Sequence, residues 1–92
     1  MSPLTDAEAS QGLSGLPGWQ IEKGELTRTF AFKDFVAALA FVNKVGALAE
    51  KAGHHPDIDI RYNRVRLALV THDAGGLTAK DFDLAAAVSK LV

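Results

Sequence analysis

The chain has 92 residues, ten basic against eleven acidic, with a net charge of −1 and no cysteine. That makes one small domain, 1–92, able to bury roughly 60–65% of its unfolded surface without disulfides, and it leaves no electrostatic footprint for nucleic acid. No run reaches the roughly 20 apolar residues that cross a bilayer. The opening Met1-Ser2-Pro3-Leu4-Thr5-Asp6 lacks a signal peptide's cationic and apolar segments, so a soluble cytoplasmic protein is expected.

Thr5-Asp6-Ala7-Glu8 is a capping box and predicts a short helix from Asp6 to Leu13, broken by Gly12, Gly15, Pro17 and Gly18. Two strands follow, Trp19 to Glu22 and Leu26 to Phe32, joined by a tight turn at Lys23-Gly24. In the second, Leu26, Arg28, Phe30 and Phe32 share one face, and Arg28 interrupts its apolar character. Asp34 to Ala52 is helical in pattern with Gly53 as C-terminal cap. Phe35, Leu39, Val42 and Gly46 form one stripe, with Val36, Ala40, Val45 and Ala49 beside it. A sheet covers one face of a helix, so an apolar surface this wide predicts a second buried contact, supplied by another subunit.

Asp57 to Tyr62 alternates with Ile58, Ile60 and Tyr62 inward, Asn63 turns the chain, and Arg64 to Thr71 alternates with Val65, Leu67 and Leu69 inward. Asp73-Ala74-Gly75-Gly76 reads as a loop. Thr78-Ala79-Lys80-Asp81 is a second capping box, opening a last helix to about Leu91. Hairpins of strands between helices predict an α+β fold: a four-stranded antiparallel sheet with helices packed on one face, in the order α-β-β-α-β-β-α.

All three histidines of the chain lie between positions 54 and 72. Imidazole is the side chain whose unperturbed pKa suits proton transfer near neutrality. Glu50 precedes His54 by four residues. Pro56 drives His55 out of the α region, so His54 and His55 point apart and do different work. With the turn at Asn63, the strand start at Asp57 is expected to lie opposite the end at His72, bringing the three histidines to one sheet edge.

The set Glu50-x-x-x-His54-His55-Pro56, Tyr62, Thr71-His72 and Gly76-Leu77-Thr78-x-x-Asp81 resembles the pterin-4a-carbinolamine dehydratases. So do Leu16-Pro17-Gly18-Trp19 and Phe30-x-Phe32-x-Asp34-Phe35, and the likeness runs over nearly the whole chain in register. It implies dehydration of a 4a-hydroxytetrahydropterin to the quinonoid dihydropterin with no metal and no cofactor, recycling the pterin of aromatic amino acid hydroxylases. It further implies His54 and His72 as the acid–base pair, either in either role, and His55 as a pterin-holding member of the catalytic set. Glu50 and Asp81 orient imidazoles at the substrate site, and Trp19 stands near its wall. It also implies a homo-oligomer, a tetramer built as two dimers through helix 34–52.

The same residues admit plainer roles. Asp81 is a capping acid by its spacing from Thr78, Trp19 and Tyr62 suit packing, and Asp57, Asp59, Arg61, Arg64 and Arg66 suit a solvent face. A zinc site from His54, His72 and Asp57 or Glu50 is one rival, although no two ligands are paired on one element. A binding module is the other, since members of the resembled family use the long helix to dimerise a homeodomain transcription factor.

Overall fold

The computed structural model describes residues 2–92. Helix α1 (Asp6–Leu13) starts on the expected capping box: the Glu8 amide donates to Thr5 Oγ1 at 3.1 Å, and the Thr5 amide to Glu8 Oε1 at 2.9 Å. Gly12 in this helix packs closely: a Cβ there would stand 3.0 Å from the Phe82 ring, which would have to give way. Strands β1 (Gln20–Glu22) and β2 (Glu25–Ala31) form a hairpin. Lys23 and Gly24 both take positive φ, 51° and 78°, the sign pattern of the tight turn whose twist matches paired strands.

Helix α2 spans Phe35–Ala52, with Asp34 Oδ1 accepting from the Ala37 amide at 2.8 Å and Gly53 closing it at φ 63°. Strands β3 (Asp57–Arg61) and β4 (Arg64–Leu69) form the second hairpin, and helix α3 spans Ala79–Ser89. The antiparallel sheet has the order β1-β2-β4-β3, so α2 carries the chain from β2 across to the edge strand β3. The element order and class are those expected.

Leu26, Phe30, Val65, Leu67 and Leu69 make the buried face of the sheet. Against it lie Ala38, Phe41, Val45 and Ala49 of α2 and Leu84, Ala85 and Val88 of α3. Phe41 is the hinge of this packing, its ring centroid 4.7 Å from that of Phe30 and 4.9 Å from that of Phe32. Truncating it to Ala costs about 3–5 kcal/mol on the usual scale for buried aromatics. Arg28 stays on this face because its guanidinium caps the Phe30 ring, 4.3 Å from the centroid.

Four expectations are corrected. Tyr62 does not point inward: Arg61 pairs with Arg64, so Tyr62 and Asn63 are the turn itself, and Tyr62 is 66% exposed at φ 52°. Ile58 shares the inner face with its partner Leu67, but on an edge strand it is left exposed. On α2 neither apolar set as grouped is the buried face: Val45 and Ala49 are buried with Ala38 and Phe41, whereas Val36 and Ala40 are exposed. The outward surface carries Phe35, Val36 and Leu39, with Val36 as much as 75% exposed. Finally, α3 ends at Ser89 rather than Leu91, with Lys90 as its cap.

Candidate active site

The left-handed turn at Gly53 decides where the histidines go. Its amide bonds the Glu50 carbonyl at 3.2 Å, and the His54 amide reaches back to the Ala49 carbonyl at 3.1 Å. The chain thus leaves α2 abruptly and directs His54 toward the start of α3. There the His54 Nε2 lies 2.6 Å from Asp81 Oδ1. Asp81 is the N3 residue of α3, fully buried, and its other oxygen accepts from the Thr78 amide at 2.9 Å and from the Thr71 hydroxyl at 2.8 Å. A buried carboxylate is tolerable only when its lone pairs are met by donors, and a helix N-terminus adds favourable field. Asp81 has both. The capping role and the histidine-orienting role fall on one side chain.

Glu50 does not serve His54, the partner its spacing suggested. Its Oε2 bonds the Nε2 of His55, and both side chains are exposed. Such a pair adds little stability; what it does is limit the rotation of the His55 ring. His72 also departs from expectation. Strand β4 ends at Leu69, Asp57 pairs with Ala68, and His72 opens a short 3-10 turn (His72–Ala74) that closes on Gly75 at φ 75°. An isolated antiparallel β-bridge, Thr71↔Gly76, pinches the base of this turn.

Despite that shift the three imidazoles converge. His54, His55 and His72 line one open cleft of about 300 Å³ with Thr71, Asp73 and Lys80. A second, more apolar cleft of about 450 Å³ between α2 and α3 shares His54 and Lys80 with it and is walled by Leu48, Lys51, Leu84 and Ala87. The histidine cleft is at the lower end of the size range for small-molecule sites and offers polar groups on several sides. Three rings, one of them locked to a buried carboxylate, suit proton delivery and removal on a bound heterocycle.

Trp19 is not brought to this cleft. It is buried in the core, edge-on to Phe30, and its indole N–H donates to Ser89 Oγ at 2.8 Å. Ser89 is at the far end of α3 from Asp81, about 12 Å along the helix axis. As for the zinc alternative, among the described residues no three His, Asp or Glu side chains are gathered as a metal-binding set. Residues to which sequence reasoning gave no part in the site are Thr71, Thr78, which was read only as a helix cap, and Lys80. A threonine directly before His72 and another at the cap of α3 were the signals for the first two.

Comparison with known proteins bears on this arrangement. Residues 2–91 match the family model described as pterin 4 alpha carbinolamine dehydratase. A relative from Acidobacterium capsulatum, whose name places it among the pterin-4-alpha-carbinolamine dehydratases, is 63% identical over the full length of both chains. One of like name from Chloroflexus aurantiacus is 60% identical, covering 100% of this chain and 99% of its own. The crystal structure of a transcriptional coactivator/pterin dehydratase from Brucella melitensis superposes with a TM-score of 0.94 at 37% identity, covering 98% of each chain. A pterin dehydratase-like protein described as a RuBisCO assembly factor in the alpha-carboxysome superposes less closely, with a TM-score of 0.65 at 28% identity over 79% of this chain and 84% of its own. With a family model spanning all but the terminal residues, and full-length relatives at this identity, the chain belongs to the pterin-4-alpha-carbinolamine dehydratase family.

Proposed function

We propose that this chain is a hydro-lyase, one domain over residues 1–92, that converts a 4a-hydroxytetrahydropterin to the quinonoid dihydropterin without metal or cofactor. In the reaction the bond from carbon 4a to its hydroxyl oxygen breaks. A proton delivered to that oxygen releases water, and loss of the proton on the adjacent ring nitrogen lets the carbon–nitrogen double bond form. One protonated and one neutral imidazole supply both transfers. His54 and His72 are the acid–base pair, and His55, steadied by Glu50, holds the pterin. The observation that carries this reading is the convergence of three imidazoles on one cleft with His54 tied to the buried Asp81. The cellular use that fits such an activity is recycling of the oxidised pterin of aromatic amino acid hydroxylases in the cytoplasm.

The assembly that accompanies the activity is a homo-oligomer, a tetramer of two dimers joined through α2. Its support is the outward apolar surface at Phe35, Val36 and Leu39, which the chain's own sheet leaves uncovered. The test of function is turnover of a chemically generated 4a-hydroxytetrahydropterin, with the spontaneous dehydration subtracted. His54→Ala and His72→Ala each lower the rate by about 10²–10⁴-fold, and dialysis against a strong chelator leaves it unchanged. An unaltered rate in the double variant overturns the histidine assignment.

A further inference from the structure

We propose that Thr71 is a positioning residue that sets both acid–base histidines at once, and that through Asp81 it commits His54 to the role of proton acceptor at Nδ1. The inference rests on the dehydratase reading and sharpens it. Thr71 is 5% exposed, and its Oγ1 lies 2.8 Å from Asp81 Oδ2 and 2.8 Å from Thr78 Oγ1. A hydroxyl has one proton, and a carboxylate only accepts. The Thr71 proton therefore goes to Asp81, and the Thr78 hydroxyl donates in turn to Thr71. Thr78 Oγ1 is itself the acceptor of the Lys80 amide at 3.3 Å, which ends the relay on the backbone of α3.

The consequence reaches the ring. With Oδ2 of Asp81 taken by Thr71 and by the Thr78 amide, Oδ1 is the oxygen left for His54 Nε2. A ring nitrogen 2.6 Å from a carboxylate oxygen carries the proton. The neutral imidazole then has its lone pair at Nδ1, the nitrogen that Asp81 does not engage, on a ring that lines the cleft. A ring in this state takes a proton, and the buried carboxylate stabilises the imidazolium that results, as the aspartate does for the base of a Ser-His-Asp triad. The proton leaves the pterin ring nitrogen for His54 Nδ1. His72, as imidazolium, gives one to the departing hydroxyl, and water is the product. Solvent returns both histidines to their starting states.

The backbone of the same residue fixes the other histidine. The Thr71 amide donates to the Gly76 carbonyl at 3.1 Å, and the Thr71 carbonyl accepts from the amides of Ala74 at 3.0 Å and Gly76 at 3.3 Å. These bonds anchor the turn on which His72 begins. A threonine in this place thus holds one ring through its side chain and the other through its main chain.

The test uses the full chain labelled with 15N-histidine and three variants: Thr71→Val, which keeps the shape without the hydroxyl; Thr71→Ala, which guards against a folding failure of the first; and Thr71→Ser, which restores the donor. Long-range proton–nitrogen spectra report which ring nitrogen of His54 is protonated, and turnover gives kcat and KM. The expected result is a His54 held as the Nε2–H form in the native protein and in Thr71→Ser; in the other two, Asp81 loses one of the two donors that hold Oδ2 and turns partly away from His54, which gives a mixture of tautomers. There kcat falls about 10–100-fold, by analogy with the loss of the outer hydrogen-bond partner of a metal-bound histidine, with KM within about twofold. Val and Ala variants that keep kcat within about twofold, or that lose kcat while His54 keeps its Nε2–H form, overturn the proposal. A native protein with no turnover overturns the dehydratase reading instead, and the tautomer measurement still decides the role of Thr71.

Discussion

Replacing Asp81 with asparagine separates what this residue does for the fold from what it does for the site. The amide can sit in two ways. With its NH2 in place of Oδ2 it would face the Thr78 amide, a donor that cannot turn round, leaving a buried clash of donors worth about 1–3 kcal/mol. With its oxygen in place of Oδ2, the Thr78 amide and the Thr71 hydroxyl keep their acceptor, and the NH2 faces His54 Nε2. Every group stays bonded in that arrangement provided His54 moves its proton to Nδ1. The second arrangement wins, and it puts a proton where the lone pair is needed.

The magnitudes follow. Each charge-assisted hydrogen bond worth about 1.5–3 kcal/mol becomes a neutral one worth about 0.5–1.5. Removing a fully buried charge offsets much of the summed loss, so Asp81→Asn costs about 1–2 kcal/mol of stability. A chain of this length has roughly 5–14 kcal/mol in all, so the variant folds. Its kcat falls by about 10²–10⁴-fold, the upper end being the cost of a wrong histidine tautomer in the serine-protease triad. Asp81→Ala behaves differently: it strands the Thr71 hydroxyl, the Thr78 amide and the His54 ring, and costs about 3–5 kcal/mol, as loss of one member of a buried pair does. Urea melts and background-corrected turnover on the two variants measure this. If Asp81→Asn keeps about a third or more of the native kcat, or proves as unstable as Asp81→Ala, the reasoning is refuted.

Three further outcomes are expected. His55→Ala raises KM more than it lowers kcat, because an exposed ring held by Glu50 contributes binding common to substrate and transition state; a fall in kcat at constant KM counts against that. Leu39→Glu, on the outward surface of α2, shifts the protein in sedimentation from an oligomer to a smaller folded species, and a native protein that sediments as a monomer at micromolar concentration defeats the assembly proposal. Glu22 on the open face of the sheet has its carboxyl held below the ordinary 4.5, chiefly by the hydrogen bond from the Thr27 hydroxyl and then by Arg66. A lowered folded value means stability present above the ordinary value and lost as the pH falls through the lowered one. Urea midpoints followed downward from about pH 6 therefore fall less steeply in Glu22→Gln than in the native chain, and parallel curves contradict the assignment.

Local signals carried most of the fold. Both capping boxes, the Lys23-Gly24 turn and the Gly53 cap are written in adjacent residues, and each forms where its pattern places it. The register of β2 was legible too, because the face opposite Leu26 and Phe30 offers only Thr27, Thr29 and the small Ala31. What failed was extrapolation along a strand. Alternation at Ile58, Ile60 and Tyr62 continues the inward set by one residue too many, since the hairpin loop needs two residues and takes Tyr62. The same kind of error placed His72 on a strand end, whereas the chain leaves β4 after Leu69 and folds back through the Thr71↔Gly76 bridge. On α2 the apolar surface is so wide that periodicity alone does not select the buried stripe; the Phe41 contacts with Phe30 and Phe32 do.

The site shows a different limit. That three histidines meet in one cleft was readable from His54-His55-Pro56 and His72, but the pairing of carboxylates with rings was not. Spacing put Glu50 one helical turn from His54, and an uninterrupted helix would have joined them. Gly53 ends the helix in a left-handed turn between the two, so His54 swings to α3 and His55 falls to Glu50. An N3 acid is held at its cap in the positive end of the helix field, and here the Thr71 hydroxyl joins the Thr78 amide in turning its other oxygen to His54. Asp81 can therefore act on His54 without a dedicated support of its own, beyond the hydroxyl of Thr71. A site assembled this way puts its most demanding group, a buried negative charge, at a place in the fold where helix formation already requires one.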